Sequence, residues 1–401
     1  MPERTLPTSY PFHRPSAVEP PPVYRDLRDR CPVAHVQLPS GDMGYVVSRY
    51  EDVKAVLGDT RFSRAATVVP GAPRLAPVPP MAGGLFAMDG PEHLRLRRLV
   101  FREFTARRVQ DLEPRIQELT DTLLDAMESA GPTADLNSAL AFPLPVQVIC
   151  ELLGVPYEDR ARFRDWSDAF VSLTSHTPEE MLLQRKSLVE YLAGLVERKR
   201  SEPGDDLMSA LVAAHDEGGR LSSEELVMMG ITLLVAGHET TVSMISMFVL
   251  TLLRHPEQLR RLQEHPEQLD RAIDELLRIN PIGDGGPFRV TTEEVEIAGT
   301  VIPEGSAVIA AVCSANRDER QYTDGDPELF DSARPSASTH LAFGHGAHHC
   351  VGSALARAEL RTAIGTLFRR FPELRLAVPV EELSMTSGMM VHGLTRLPVT
   401  W

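Results

Sequence analysis

Lysine is nearly missing from this 401-residue chain: Lys54, Lys186 and Lys199 are all there is. Arginine and alanine take its place, a composition that points to a GC-rich genome such as an actinobacterium's. Positive charge is short overall, since 41 Lys and Arg face 56 Asp and Glu and leave a formal net charge of −15. Nucleic-acid recognition normally needs a basic face, so that class is set aside. Cysteine is scarce too. Cys31, Cys150, Cys313 and Cys350 lie far apart with no CxxC pair, which excludes a disulfide framework and points to a reducing cytoplasm. Residues 1–22 are polar and Pro-rich and contain no apolar run suited to a signal peptide or membrane anchor. No internal repeat or linker is evident. The Pro-rich stretch 70–80 reads as a loop, and the chain as one domain over 1–401.

The pattern that is present is mainly helical. Apolar residues recur at helical spacing over 107–127, 178–199, 257–279 and 351–368. Breakers at Gly154-Val155-Pro156, Asn280-Pro281 and Phe371-Pro372 end helices. Short strands are expected at 45–48, 295–298 and 307–312, the last two pairing as a hairpin through turns at Gly299 and 303–305. The longest apolar run, 222–253, opens with a Ser222/Glu225 capping-box pattern and is long enough to span a bilayer. His238, Glu239, Thr240 and Thr241 at its middle are costly in lipid, so it reads as a helix crossing a soluble core. Polar residues there need partners or a task.

Two motifs carry chemistry. In Phe343-Gly344-His345-Gly346-Ala347-His348-His349-Cys350-Val351-Gly352, the cysteine stands at a helix start, where unpaired N–H groups favour a thiolate. The glycines allow tight turns and leave room for a flat ligand over the sulfur. A thiolate bound to haem iron pushes electrons toward O–O cleavage. Two alternatives are a Gly-rich turn with a buried cysteine and a zinc site drawing on His340, His345, His348 and His349, although no second cysteine is near. In Ala236-Gly237-His238-Glu239-Thr240-Thr241, Gly237 admits a diatomic ligand, Thr240 offers a hydroxyl and Glu239 a proton. The competing reading is threonines bonded to carbonyls one turn back. A metalloprotease H-E-x-x-H is excluded, because Val242 stands where the second histidine would be.

The cysteine motif resembles the haem-binding loop of the cytochromes P-450 at every fixed position, and the helix motif resembles that family's oxygen-activation segment. The resemblance runs from about Tyr24 to the C-terminus. It implies a mainly α fold with a small β region: a single helical prism enclosing haem b between the long helix and the helix after Cys350. Cys350 is then the axial ligand, and His93, Arg97, Arg289 and His348 neutralise the haem carboxylates. Glu275, Arg278 and Arg334 (from a Phe330-Asp331-x-x-Arg segment) form a buried ion network supporting the haem loop; on its own, E-x-x-R spacing recurs at Glu92/Arg95 and Glu197/Arg200. The implied reaction is a monooxygenation with O2, fed by a ferredoxin and ferredoxin reductase, because no flavin or iron–sulfur module is evident. The motif dialect is similar to actinobacterial enzymes that tailor macrolides and polyketides. Phe86, Ala87, Val235, Ala236, Ile282, Met390 and Val391 fall at pocket positions and suit a bulky apolar substrate, with 67–84 and 176–181 where relatives build lids. Microsomal members carry an anchor, and this chain is expected to be cytoplasmic and free of the membrane. Two alternatives remain, a haem protein that binds a ligand without turnover and a zinc-dependent hydrolase.

Overall fold

Proline explains where the helices stop. The residue before a proline is pushed out of the α region, and proline has no N–H to continue the ladder. Cys31, Glu202, His255, His265 and Phe371 each cap a helix at φ between −121° and −147° and ψ near 70°, and each precedes a proline. One consequence departs from the sequence pattern. The helix expected over 257–279 is two, Pro256–Glu264 and Leu269–Ile279, because Pro266 interrupts it.

The computed structural model describes residues 9–16, 19–283 and 286–401. The expectation for residues 1–22 lies partly outside them. The chain packs into two compact units, each assembled from separated stretches of sequence. The first comprises residues 1–82, 87–90 and 267–350. It holds a five-stranded sheet in the order Val33–Gln37, Met43–Val47, Ala307–Ala310, Phe288–Thr291, Phe62–Ser63. Ala307–Ala310 is buried along its whole length, runs parallel to Met43–Val47 and is antiparallel to Phe288–Thr291. The expected hairpin has a different second strand. Val295–Ile297 pairs with Thr300–Ile302, not with 307–312. Ala298 and Gly299 both have positive φ, 48° and 78°, and this two-residue turn leaves only the next residues in register.

The second unit, residues 83–86, 91–266 and 351–401, is chiefly helical. Its centre is the helix Ser223–Arg254. Ser222 Oγ accepts from Glu225 N–H, and the Glu225 carboxylate accepts from Ser222 N–H, so two donors of the first turn are satisfied. This helix is long and apolar enough to cross a membrane, but 72% of its most apolar window is buried inside the protein. Glycine allows that packing. A Cβ at Gly237 would lie 2.7 Å from Ile149 Cδ1 of helix Pro143–Leu153, and one at Gly230 would lie 2.8 Å from Leu192 Cδ1. The bare backbone at 237 therefore accommodates a neighbouring helix, a packing reason for this glycine apart from the approach of a diatomic ligand.

Candidate haem-thiolate site

The cysteine loop belongs to the first unit. Gly344 and Gly346 adopt φ of 74° and 71°, which other residues rarely tolerate. Gly346 also has no room for a side chain, since a Cβ would meet Leu57 O and Gly58 Cα at 3.0 Å. The loop thus rests on the end of helix Tyr50–Gly58. Backbone bonds from Gly344 to Leu341 (2.8 Å), His349 to Gly346 (3.0 Å) and Cys350 to Phe343 (2.8 Å) close it. Of the four free cysteines only Cys350 is exposed. It precedes the helix Ser353–Arg370 by a short turn instead of opening it.

Beside this loop lies a cluster of charge. Asp89 accepts from His348 Nε2 at 2.9 Å on one oxygen, and from Ser63 Oγ (2.6 Å), Arg64 N–H (2.8 Å) and Ala65 N–H (2.8 Å) on the other. Burial alone would raise its carboxyl, but these bonds outweigh that and hold it well below the usual range. Arg289 is 1% exposed. Burial, then repulsion from Arg64, pushes its guanidinium down to about 8, and burial pushes Arg64 down to about 10. Burial also lowers His348, with Arg64 and Arg289 adding to the shift against Asp89. Two guanidiniums thus face one carboxylate whose oxygens are already engaged. A further anion would relieve the surplus.

Behind the loop, Glu275 and Arg278 form a two-pronged pair at 2.6 and 2.8 Å, and Arg334 Nε reaches Glu275 Oε1 at 3.1 Å. Arg278 also donates to the carbonyls of Asn316 and Pro327, both at 2.7 Å. Burial separates this E-x-x-R from its look-alikes. Both side chains are 0% exposed, whereas Glu92 and Glu197 in the matching pairs are 67% and 72% exposed. His340 lies 3.4 Å from Asp274, and His345 packs on Gly58. Among the described residues no three His, Cys, Asp or Glu side chains gather as a metal site, so the zinc alternative has no ligand set.

In the second unit, the buried helix Ser223–Arg254 carries a half-exposed stripe at Ala236, Gly237, Glu239, Thr240 and Val242. Thr240 Oγ1 donates to Ala236 O at 3.2 Å, the one-turn-back bond foreseen as its alternative role. His238 is buried and touches Ser167, Leu234 and Glu239. On helix Gly90–Phe101, His93 is 1% exposed and Arg97 lies one turn on, half-buried. Phe86 and Met390 are 47% and 46% exposed, Val235 is buried and Val391 half-buried. Of the other pocket positions, Ala87 (buried) and Ile282 (half-buried) belong to the first unit. Met390 N–H donates to Val171 O, which ties its loop to the end of helix Arg160–Phe170.

Reading the sequence misses Asp89, Arg64 and Ser167. Asp89 and His348 are 259 residues apart and Ser167 and His238 are 71 apart, so no local pattern signals either pair.

Comparison with known proteins identifies the family. A family model described as Cytochrome P450 matches residues 22–202 and 173–392. Nocardicin C N-oxygenase of Nocardia uniformis subsp. tsuyamanensis is 50% identical over 99% of this chain and 100% of its own length. Mycinamicin IV hydroxylase/epoxidase of Micromonospora griseorubida is 44% identical over 98% of this chain and 99% of its own. The crystal structure of the putative thioether synthase SgvP, involved in the tailoring step of griseoviridin, superimposes with a TM-score of 0.95 at 46% identity, covering 99% and 100% of the two chains. A loop that presents one exposed thiol, on a chain half-identical from end to end to an oxygenase, is that of a monooxygenase, and the chain belongs to the cytochrome P450 family.

Proposed function

We propose that Cys350 is the thiolate ligand of a haem b, and that the enzyme inserts one atom of O2 into a bulky, mainly apolar secondary metabolite of the macrolide or polyketide kind. The observation that carries this reading is the exposure of Cys350 alone among the four cysteines, at the close of a loop shaped by two positive-φ glycines. The family as a whole implies haem with a cysteine thiolate. The residues fit such a group. Arg289 and His348, with Arg64 added from the structure, form a buried cationic cluster with capacity for a carboxylate. His93 and Arg97 offer a second pair of donors. Glu275, Arg278 and Arg334 brace the segment that leads into the loop. In this reading residues 1–401 form a single domain, since relatives match across the whole length.

When bound, haem supplies the oxygen chemistry, one atom going to substrate and the other to water with two electrons and two protons. Glu239 and Thr240, both on the half-exposed stripe of the long helix, are the acid and the hydroxyl that would deliver protons there. Redox partners of the family type are needed, here a ferredoxin and its reductase in the cytoplasm. Phe86, Val235, Ala236, Met390 and Val391 in the second unit, and Ala87 and Ile282 in the first, are apolar side chains suited to such a substrate. The hydroxylase/epoxidase relative supports a macrolide-like substrate. The N-oxygenase relative, at higher identity, favours a second reading in which the oxygen goes to a nitrogen of the substrate.

The test is the spectrum of the reduced, carbon-monoxide-bound protein. Wild type is expected to show the red-shifted thiolate Soret band, retained in Cys150→Ser and Cys313→Ser and lost in Cys350→His. An unchanged band in Cys350→His overturns the ligand assignment.

A further inference from the structure

Within the second unit, the connection 171–177 between helices Arg160–Phe170 and Pro178–Ser201 is fastened to a distant piece of chain, residues 385–394. The fastening centres on Gly388. Its carbonyl accepts from three consecutive N–H groups, Leu173 at 2.8 Å, Thr174 at 2.9 Å and Ser175 at 3.2 Å. One oxygen with two lone pairs serves all three, so turning a single peptide releases them together. Gly388 has φ of 67°, and a Cβ there would lie 2.5 Å from Thr174 Oγ1 and 2.9 Å from Ser175 N. Only glycine fits this approach. Beside it, Met390 N–H donates to Val171 O at 2.7 Å, and Ser172 and Met389 face each other as an antiparallel bridge. Leu173 and Met389 are buried at this junction, whereas Thr174 and Ser175 are exposed.

The other end of 385–394 is held differently. Met385 and Leu394 form an antiparallel bridge, and Thr386 N–H donates to Gly393 O at 2.8 Å, so the segment is a short hairpin with a closed base. That base rests on the long helix. A Cβ at Gly393 would lie 2.8 Å from Ser243 Oγ. Asn137 donates to Leu394 O at 2.6 Å and accepts from Ser246 Oγ at 2.5 Å, joining the base to the helix a second time. The two ends therefore differ in kind. Buried side-chain bonds hold the base, while the tip is held by backbone donors of which two belong to exposed residues, and water can replace those partners at modest cost.

We infer that hairpin 385–394 is a fixed strut and that its Gly388 tip latches the connection 171–177, releasing it in one step to admit or discharge a bulky ligand. Gly388 is a positioning residue: through the tip it also sets where Met390 and Val391 stand. The inference rests on the reading of those two residues as part of the substrate site. The four latch amides, those of 173, 174, 175 and 390, should open as one group, because three share an acceptor and the fourth is two residues from it.

Amide hydrogen exchange on the haem-loaded protein tests the latch by itself. Gly388→Ala is expected to speed exchange of all four amides together by about tenfold or more, and to leave Thr386 at the base protected. Unchanged or unrelated rates at the four positions overturn the latch. The double variant Ser172→Cys/Met389→Cys tests the gate without touching Gly388. Antiparallel partners lie about 4.5–5.5 Å apart, within the span of a disulfide. Stopped-flow binding of two probes, ketoconazole and imidazole, is followed by the nitrogen-ligand shift of the Soret band. Oxidation of the double variant is expected to slow ketoconazole association by about tenfold or more, with recovery in dithiothreitol, while imidazole keeps its rate. Equal ketoconazole rates in the two redox states, or equal slowing of imidazole, overturn the gate. Probes that leave the wild-type Soret band unmoved would sink the haem reading instead, and the exchange result would still judge the latch.

Discussion

Asp89 shows how much one carboxylate can organise. It binds His348 on one side and three donors from residues 63–65 on the other, and among the described residues it is the anion that shifts Arg64 and Arg289. Its folded pKa is depressed, so the stability it confers is fully present above its ordinary value near 3.8 and is lost as pH falls toward the folded one. Asp89→Asn is expected to cost about 1–3 kcal/mol near neutral pH, because a charged acceptor is lost while its donors stay buried. It should also give a shallower acid limb than wild type. Urea melts of the holoenzyme between pH 3 and 7 check both points, and an unchanged acid limb shows that Asp89 titrates normally. None of this is legible in the sequence, although the loop that carries Cys350 and the helix that carries Thr240 are. Their motifs are contiguous because a loop and one helix present them, whereas the Asp89–His348 and Ser167–His238 contacts join distant segments. Local spacing says nothing about such contacts.

Elements were legible where a single period or breaker decides them. The helix Ser223–Arg254 has its capping residues and its apolar run in sequence, and proline marks the helix ends. Pairing was not legible, because the Ala298-Gly299 turn matters only through its backbone angles. The helix Ser353–Arg370 contains a conflict that periodicity hides. Glu359 is 1% exposed on its inner face, and its Oε2 has no hydrogen-bond partner among the described residues. Burial raises its carboxyl from 4.5 to about 8. Between those values the folded protein keeps a proton that the unfolded chain has lost. Stability is therefore undiminished below 4.5, falls as pH rises toward 8 and levels above it. The slope is about 1.4 kcal/mol per pH unit for one proton. Glu359→Gln is expected to flatten the decline, with a thermal midpoint closer to wild type at pH 5 than at pH 8, where the variant is the more stable. Calorimetry at both pH values decides it; parallel declines in the two proteins would place the pH dependence elsewhere.

For the molecule as a whole, the proposal of a ferredoxin donor raises the question of how a protein with net charge −15 would receive electrons from such a partner when that partner is acidic too. Over long distances the two bodies repel. Close in, specific cations matter more, because the screening length is about 10 Å at 0.1 M salt. Arg98 and Arg102 are exposed near the end of helix Gly90–Phe101, and Arg357 and Arg361 are half-buried on helix Ser353–Arg370. Arg361 pairs with Glu113, which reduces its pull on a partner. The two exposed arginines should therefore carry more of the attraction than the two on the later helix. The sign of the salt effect decides between the two forces. If the local cations dominate, ferredoxin-driven reduction slows as salt rises from low ionic strength, and Arg98→Ala with Arg102→Ala weakens that dependence more than Arg357→Ala with Arg361→Ala. If net charge dominates, added salt screens the repulsion and speeds reduction, and the arginine variants change little. Stopped-flow reduction rates across a salt series distinguish the cases, and a rate that rises with salt removes these arginines as a docking surface.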